Sequence, residues 1–167
     1  MLRSQDIFIL LALSRSGENW TYGQIAHELG LSSSAVHRSV ERATKAGLFN
    51  RDRREVDRSA LIEFIVHGVR YVFPADWRGE ARGVPTAWAA PPLSTRLSHS
   101  GKNPPVWPDP HGKVFGIALI PLDPRVPDAA RRDKALGELL ALVDGIRIGG
   151  ARERGLGAKE LEGRLGN

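Results

Sequence analysis

No cysteine occurs among the 167 residues of the chain. That absence excludes disulfide frameworks, thiolate zinc sites, iron–sulfur clusters and cysteine nucleophiles together, and it suits a reducing compartment. Long apolar runs are missing as well. The longest near the start, Ile7 to Leu13, covers seven residues, against the ~20 that a membrane helix needs. Asp6 stands where a secretory signal would carry a basic flank. A cytoplasmic chain with no membrane contact is therefore expected. Proline is absent from the first 73 residues and from the last 40, so that all eleven prolines lie between Pro74 and Pro127.

What is present fits a globular chain. Hydrophobic residues make up 41% and charged residues 26%, within the ordinary range, and the length allows about one domain with a small appendage. Lysine and arginine number 24 against 19 acidic residues, giving +5 and a sequence pI near 10.1, a balance that favours a polyanionic partner. The excess is concentrated. Between Ser33 and Arg58 stand seven cations (Arg38, Arg42, Lys45, Arg51, Arg53, Arg54, Arg58) and four anions (Glu41, Asp52, Glu55, Asp57). Such a run is either a solvated face or a binding surface.

Composition and periodicity divide the chain into residues 1–73, 74–127 and 128–167. In the first segment Ser4 is expected to cap a helix with Ile7, Leu10, Leu11 and Ala12 on its inner face. Trp20 reads as a buried extended residue. Thr21 and Gln24 spell a capping box for a second helix, with Ile25, Ala26 and Leu29 inward and Gly30 closing it in the left-handed conformation. Ser32, Ser33 and Ser34 offer caps for a third, whose inner stripe is Val36, Val40 and Ala43, with Leu48 beyond the Gly47 stop. Leu48–Phe49 and Glu55–Val56 read as short strands around a charged turn. Asp57 or Ser59 opens a fourth helix, whose apolar Leu61, Ile62, Phe64, Ile65 and Val66 cover most of its circumference and predict deep burial. Val69 to Phe73 reads as a strand.

The second segment holds all the prolines and Trp77, Trp88 and Trp107, and reads as short strands and turns. The strands are expected at Val84–Trp88, Val106–Trp107 and Val114–Leu119, with a mobile loop from Ser94 to Pro105. Its tryptophans either anchor a small core or line a ligand pocket or docking surface; the area each ring buries favours the core. In the third segment Leu136, Leu139, Leu140, Val143 and Ile146 form one helical stripe. That stripe is either a dimer seam or a face packed on the chain's own accessory region. After Gly149-Gly150, a glycine-rich tail predicts a last weak helix with Ala158, Leu161 and Leu165 on one side.

No enzymatic constellation emerges. His27-Glu28 begins like a zinc-protease helix, but Leu31 stands where the second histidine is required. His37, His67, His99 and His111 lack metal-ligand spacing. There is no phosphate-binding loop and no nucleophile elbow, and Ser98-His99-Ser100 is adjacent in sequence, whereas catalytic partners meet across a fold. No enzyme, no metal and no cofactor is expected.

The second and third helices resemble the helix-turn-helix of winged-helix bacterial transcription regulators such as the MarR-like group. Counting from Tyr22, the small residue at the fifth place is Ala26, the turn glycine at the ninth is Gly30, and the aliphatic residue at the fifteenth is Val36. Val40 adds the next inward contact, and the string through Gly47-Leu48 ends the third helix ahead of a basic hairpin. The likeness covers about residues 1–73. It implies an N-terminal winged helix-turn-helix, which with the Pro/Trp-rich region of short strands and the C-terminal helical segment read above makes the expected fold class α+β. It further implies that the third helix presents Ser33, Ser34, His37, Arg38 and Arg42 to base edges and phosphates. Arg51, Arg53 and Arg54 would rest on the phosphate backbone. The hairpin is short, with about eight residues between Leu48 and the next helix, and reaches a phosphate rather than a groove. The expected function is a sequence-specific double-stranded-DNA-binding regulator, a repressor acting as a homodimer. The alternative is an antitoxin that masks a toxin partner through its tail (Arg152, Arg154, Lys159 and Leu161) while repressing their shared promoter.

Overall fold

A computed structural model describes residues 1–99 and 103–166, an α+β arrangement of helices with two small sheets. Helix α1 spans Ser4–Ser14. Ser4 begins it but does not cap it: Arg3 is the cap residue, and its backbone N–H donates to the Asp6 carboxylate at 2.8 Å. The apolar run of this helix is continuous, so it sits inside the molecule, and every residue from Asp6 to Ser14 is buried.

Helix α2 (Tyr22–Leu29) starts where Thr21 accepts from the Gln24 N–H at 3.1 Å. The reciprocal half of the expected box is missing, because the Gln24 side chain donates to Glu28 instead. Gly30 ends α2 at φ +71°, a conformation that disfavours any side chain. Two residues later Ser32 caps α3 (Ser33–Lys45) by accepting from the Ala35 N–H at 3.1 Å. The inner stripe lands as the period requires, with Val36, Val40 and Ala43 buried. Strands β1 (Phe49–Asn50) and β2 (Glu55–Val56) then form an antiparallel hairpin with Phe49 opposite Val56, one residue later than expected on its first arm.

Asp57, rather than Ser59, caps α4 (Arg58–His67). Only Leu61 and Ile65 of its apolar residues are fully buried, while Ile62, Phe64 and Val66 are half-buried. The helix lies on the rim of the core, and its apolar circumference overstated its depth. The expected strand at Val69–Phe73 is a single helical turn, α5 (Val69–Val72). Its amides bond back to Gly68 and Val69 carbonyls, continuing the helical path of α4, and only Val69 is buried while Tyr71 and Val72 face solvent.

Strands β3 (Trp77–Pro85), β4 (Pro105–Pro108) and β5 (Val114–Leu119) close a small barrel in which β3 runs antiparallel to both neighbours and β4 is parallel to β5. The strand expected at Val84–Trp88 therefore lies earlier, and Ala87–Ala89 is a 3-10 turn. The barrel is tight. A Cβ on Gly83 would fall 2.0 Å from the Trp107 carbonyl oxygen, and one on Gly116 2.0 Å from that of Pro104, so only glycine allows the strands to approach. Where the mobile loop was expected to begin, Ser94 and Thr95 belong to a 3-10 turn (Leu93–Thr95), and Leu97 is buried. Ser100, and with it the end of Ser98-His99-Ser100, lies outside the described residues.

The C-terminal helical stretch is broken at Asp133 into α6 (Val126–Arg132) and α7 (Lys134–Ile148), Asp133 capping α7 through the Leu136 N–H at 3.1 Å. Helix α8 (Ala151–Leu165) follows. Leu136, Leu139, Leu140, Val143 and Ile146 are all at most 4% exposed and share one core cluster with α1, α3, α4 and α8. Of the two roles expected for that stripe, the structure shows the intramolecular one: its face is packed against the chain's own helices. The tail is likewise part of the core through Leu161 and Leu165.

A buried polar cluster ties the segments together. The Asp144 carboxylate accepts from Thr86 Oγ1 at 2.8 Å, Trp107 Nε1 at 2.6 Å and the Arg147 guanidinium at 2.9 Å. Arg147 also donates to the carbonyls of Phe73 and Pro74. Burial pushes the Asp144 carboxyl above its ordinary pKa, against the pull of Arg147 and the two neutral donors.

Candidate nucleic-acid interface

Burying Val36, Val40 and Ala43 on one side of α3 turns the opposite stripe outward. Ser33, Ser34, His37, Arg38, Glu41 and Lys45 are exposed there. Arg38 and Lys45 make no ion pair or hydrogen bond among the described residues, whereas most arginines of the chain are tied to a carboxylate or a carbonyl. The His37 ring stacks on Tyr22 with centroids 4.2 Å apart and planes 19° from parallel, fixing its direction at the N-terminal end of the two helices.

Arg42 is different. It grips the Asp6 carboxylate with Nε at 2.9 Å and Nη2 at 2.8 Å, and Ser39 Oγ donates to the same group at 2.7 Å. Asp6 is wholly buried and the Arg42 side chain is 16% exposed. The hydrogen bonds that the guanidinium donates to this carboxylate raise its pKa further. Arg42 therefore holds α3 against α1 and is not displayed with Arg38, contrary to the expectation that it reads DNA. The reason is the register of α1, which puts a carboxylate beneath the third turn of α3.

The hairpin arginines also divide. Arg51 is exposed and unpaired among the described residues, and Arg53 is exposed with one loose contact to Glu55 at 3.7 Å. Arg54, also exposed, lies over the Trp20 ring at 4.6 Å and donates to the Trp20 carbonyl at 3.2 Å, while Trp20 Nε1 donates to the Arg54 carbonyl at 3.0 Å. This reciprocal clasp, with Trp20 edge-on to Tyr22 and Phe49, fixes the hairpin to α2. Arg54 adopts φ +54° to make it. Between α3 and the hairpin runs a groove of about 270 Å³, lined by Tyr22, His37, Glu41, Phe49, Arg51 and Arg54.

Sequence reasoning missed Tyr22, whose stacking role shows only when α3 folds over α2. It also missed Arg125, which donates to the Gly30 carbonyl at 2.9 Å and braces the α2–α3 turn from the far end of the chain. No local signal carries that contact across 95 residues. On the other side of α2 a cleft of about 940 Å³ reaches α6 and α7, lined among others by Trp20, His27, Glu28, Arg132 and the Arg15–Asp133 pair. The tryptophans of the second segment separate as well. Trp107 is a core anchor at 2% exposure, Trp88 is half-buried against His99, and Trp77 is exposed.

The tail residues named for a protein partner do not form one surface. Leu161 is in the core and Arg154 donates to the Gly149 carbonyl, which leaves Arg152 and Lys159 exposed. No helix of the described residues is long and apolar enough to cross a membrane. No family model, no curated protein and no solved structure matches the chain.

Proposed function

We propose that the chain is a double-stranded-DNA-binding transcriptional regulator of the winged helix-turn-helix kind, with α3 as its recognition helix and the β1–β2 hairpin as its wing. The observation that carries this reading is the exposed set of Arg38 on α3 and Arg51 on the hairpin, neither with a partner among the described residues, in a molecule that ties most of its arginines to a carboxylate or a carbonyl. An exposed cation without a partner retains its full attraction for phosphate.

The chemistry assigns roles by position. Ser33, Ser34, His37 and Arg38 stand in the first half of α3, the part that meets base edges when such a helix enters the major groove. Arg38 has the planar fork that matches guanine O6 and N7. Arg51 and Arg53 act on phosphates without sequence preference. Arg42 and Arg54 position these groups and touch no base. The packed tail gives no separate support to the antitoxin alternative.

A gel-shift titration with the DNA upstream of the gene tests the reading. It predicts a discrete complex whose affinity falls linearly in log–log form with salt, as counterions are released from each neutralised phosphate. Equal retention of upstream and unrelated DNA, or none of either, contradicts it.

A further inference from the structure

Helix α3 has two flanks beside its outward face. On one, the His37 ring stacks on Tyr22, and Phe49 and Arg51 of the hairpin close the groove. His37 and Arg42, five residues apart, stand about 140° apart around the axis at ~3.6 residues per turn, so Arg42 belongs to the other flank. There α3 meets the start of α1. Oδ2 of the Asp6 carboxylate accepts the Arg3 backbone N–H at 2.8 Å and Arg42 Nε at 2.9 Å, while its Oδ1 accepts Ser39 Oγ at 2.7 Å. One carboxylate therefore fixes the backbone of Arg3 beside the third turn of α3, and Arg38 stands one turn before Arg42.

The charges on this flank leave a cation over. Asp6 is wholly buried and held by Arg42. Asp123 is buried as well; it accepts Gln5 Nε2 of α1 at 2.9 Å and pairs with Arg125 at 3.4 Å, and Arg125 in turn holds the Gly30 carbonyl. Both carboxylates are thus neutralised within the chain and do not repel a polyanion. Arg3 is exposed, and its side chain makes no ion pair among the described residues. The bond that caps α1 comes from its backbone N–H, so the fold makes no use of the guanidinium. A duplex that takes a helix into its major groove, ~12 Å wide, brings a phosphate backbone to each side of that helix. Arg51 and Arg53 stand on the hairpin side. On the other side Arg42 is occupied by Asp6, which leaves Arg3.

We propose that Arg3 is a phosphate contact on the DNA strand opposite the one held by the hairpin, so that α3 is gripped from both flanks of the groove. The inference rests on the DNA reading and adds to it the second backbone and the residue that meets it.

Arg3→Ala keeps the backbone N–H that Asp6 accepts, so circular dichroism and the thermal melt are expected to stay those of the unmodified chain. In duplex titrations across salt concentrations, the log–log slope is expected to fall by about one in Arg3→Ala and by about two in Arg3→Ala/Arg53→Ala, alike on upstream and random duplexes. Arg152→Ala, exposed on α8, leaves the slope unchanged. Phosphate-ethylation interference on the upstream duplex locates the contact. The phosphates whose interference disappears in Arg3→Ala are expected on one strand, and those that disappear in Arg53→Ala on the other. An unchanged slope in Arg3→Ala, or interference lost on the strand that Arg53 contacts, overturns this proposal and leaves the DNA reading standing. A chain that retains no duplex at low salt overturns both.

Discussion

Arg42 and Asp6, 36 residues apart in sequence, meet in a two-pronged ion pair with hydrogen bonds of 2.9 and 2.8 Å, beneath the outward face of α3. The pair makes α1 the platform that sets the rotation of α3. Rotation matters because the same helix has Val36 and Val40 pointing inward and Arg38 pointing out.

Removing one member of a buried pair strands the other. Asp6→Ala leaves Arg42 and Ser39 without their acceptor and is expected to cost about 3–5 kcal/mol, the range for breaking a buried ion pair. Urea denaturation followed by circular dichroism measures it. A loss under ~1 kcal/mol, the range of an exposed pair, would show that the carboxylate is not the anchor the geometry makes it.

Arg38 and Arg53, both exposed, should behave differently on DNA. Arg38→Ala is expected to lose about 1–3 kcal/mol on the preferred site and to relax its sequence preference, whereas Arg53→Ala weakens all duplexes alike and lowers the salt slope by about one. Titrations of specific and random duplexes at several salt concentrations separate them. Identical losses for both variants on both duplexes would contradict the division of roles.

Asp144 joins α7, the barrel and the end of α5 through Thr86, Trp107 and Arg147. Asp144→Ala leaves the buried Arg147 charge uncompensated, and a loss of about 3–5 kcal/mol is expected. Trp107→Phe removes a single neutral donor and should cost less. A thermal melt in which the two variants fall equally would place the energy in packing of the indole rather than in the carboxylate.

Most of the helix boundaries between residues 20 and 60 were legible because local chemistry and tertiary packing agree there. Thr21, Ser32 and Asp57 cap their helices as their side chains allow, and Gly30 takes the left-handed turn. Departures arise where a long-range partner decides. Val69 to Phe73 is β-branched and aromatic, yet no strand lies beside it, and the backbone continues helically from α4. The start of β3 was hidden because Trp77 to Arg82 alternates charge and glycine without an apolar period, and its pairing is set by β5, more than thirty residues on. On the candidate interface, residue type singled out Ser33, Ser34, His37, Arg38, Arg51 and Arg53, all of which are exposed. It could not distinguish them from Arg42 and Arg54, whose partners Asp6 and Trp20 are distant in sequence.

The central claim is that the outward face of α3 and the hairpin meet DNA. Amide chemical-shift mapping of the ¹⁵N-labelled chain, titrated with duplex from its own upstream region, tests that claim without knowledge of the operator. The predicted result is a continuous set of shifted amides over residues 32–38 and 51–53, with α8 unaffected. Shifts confined to α8 or the barrel, with residues 32–38 unchanged at saturation, would contradict it.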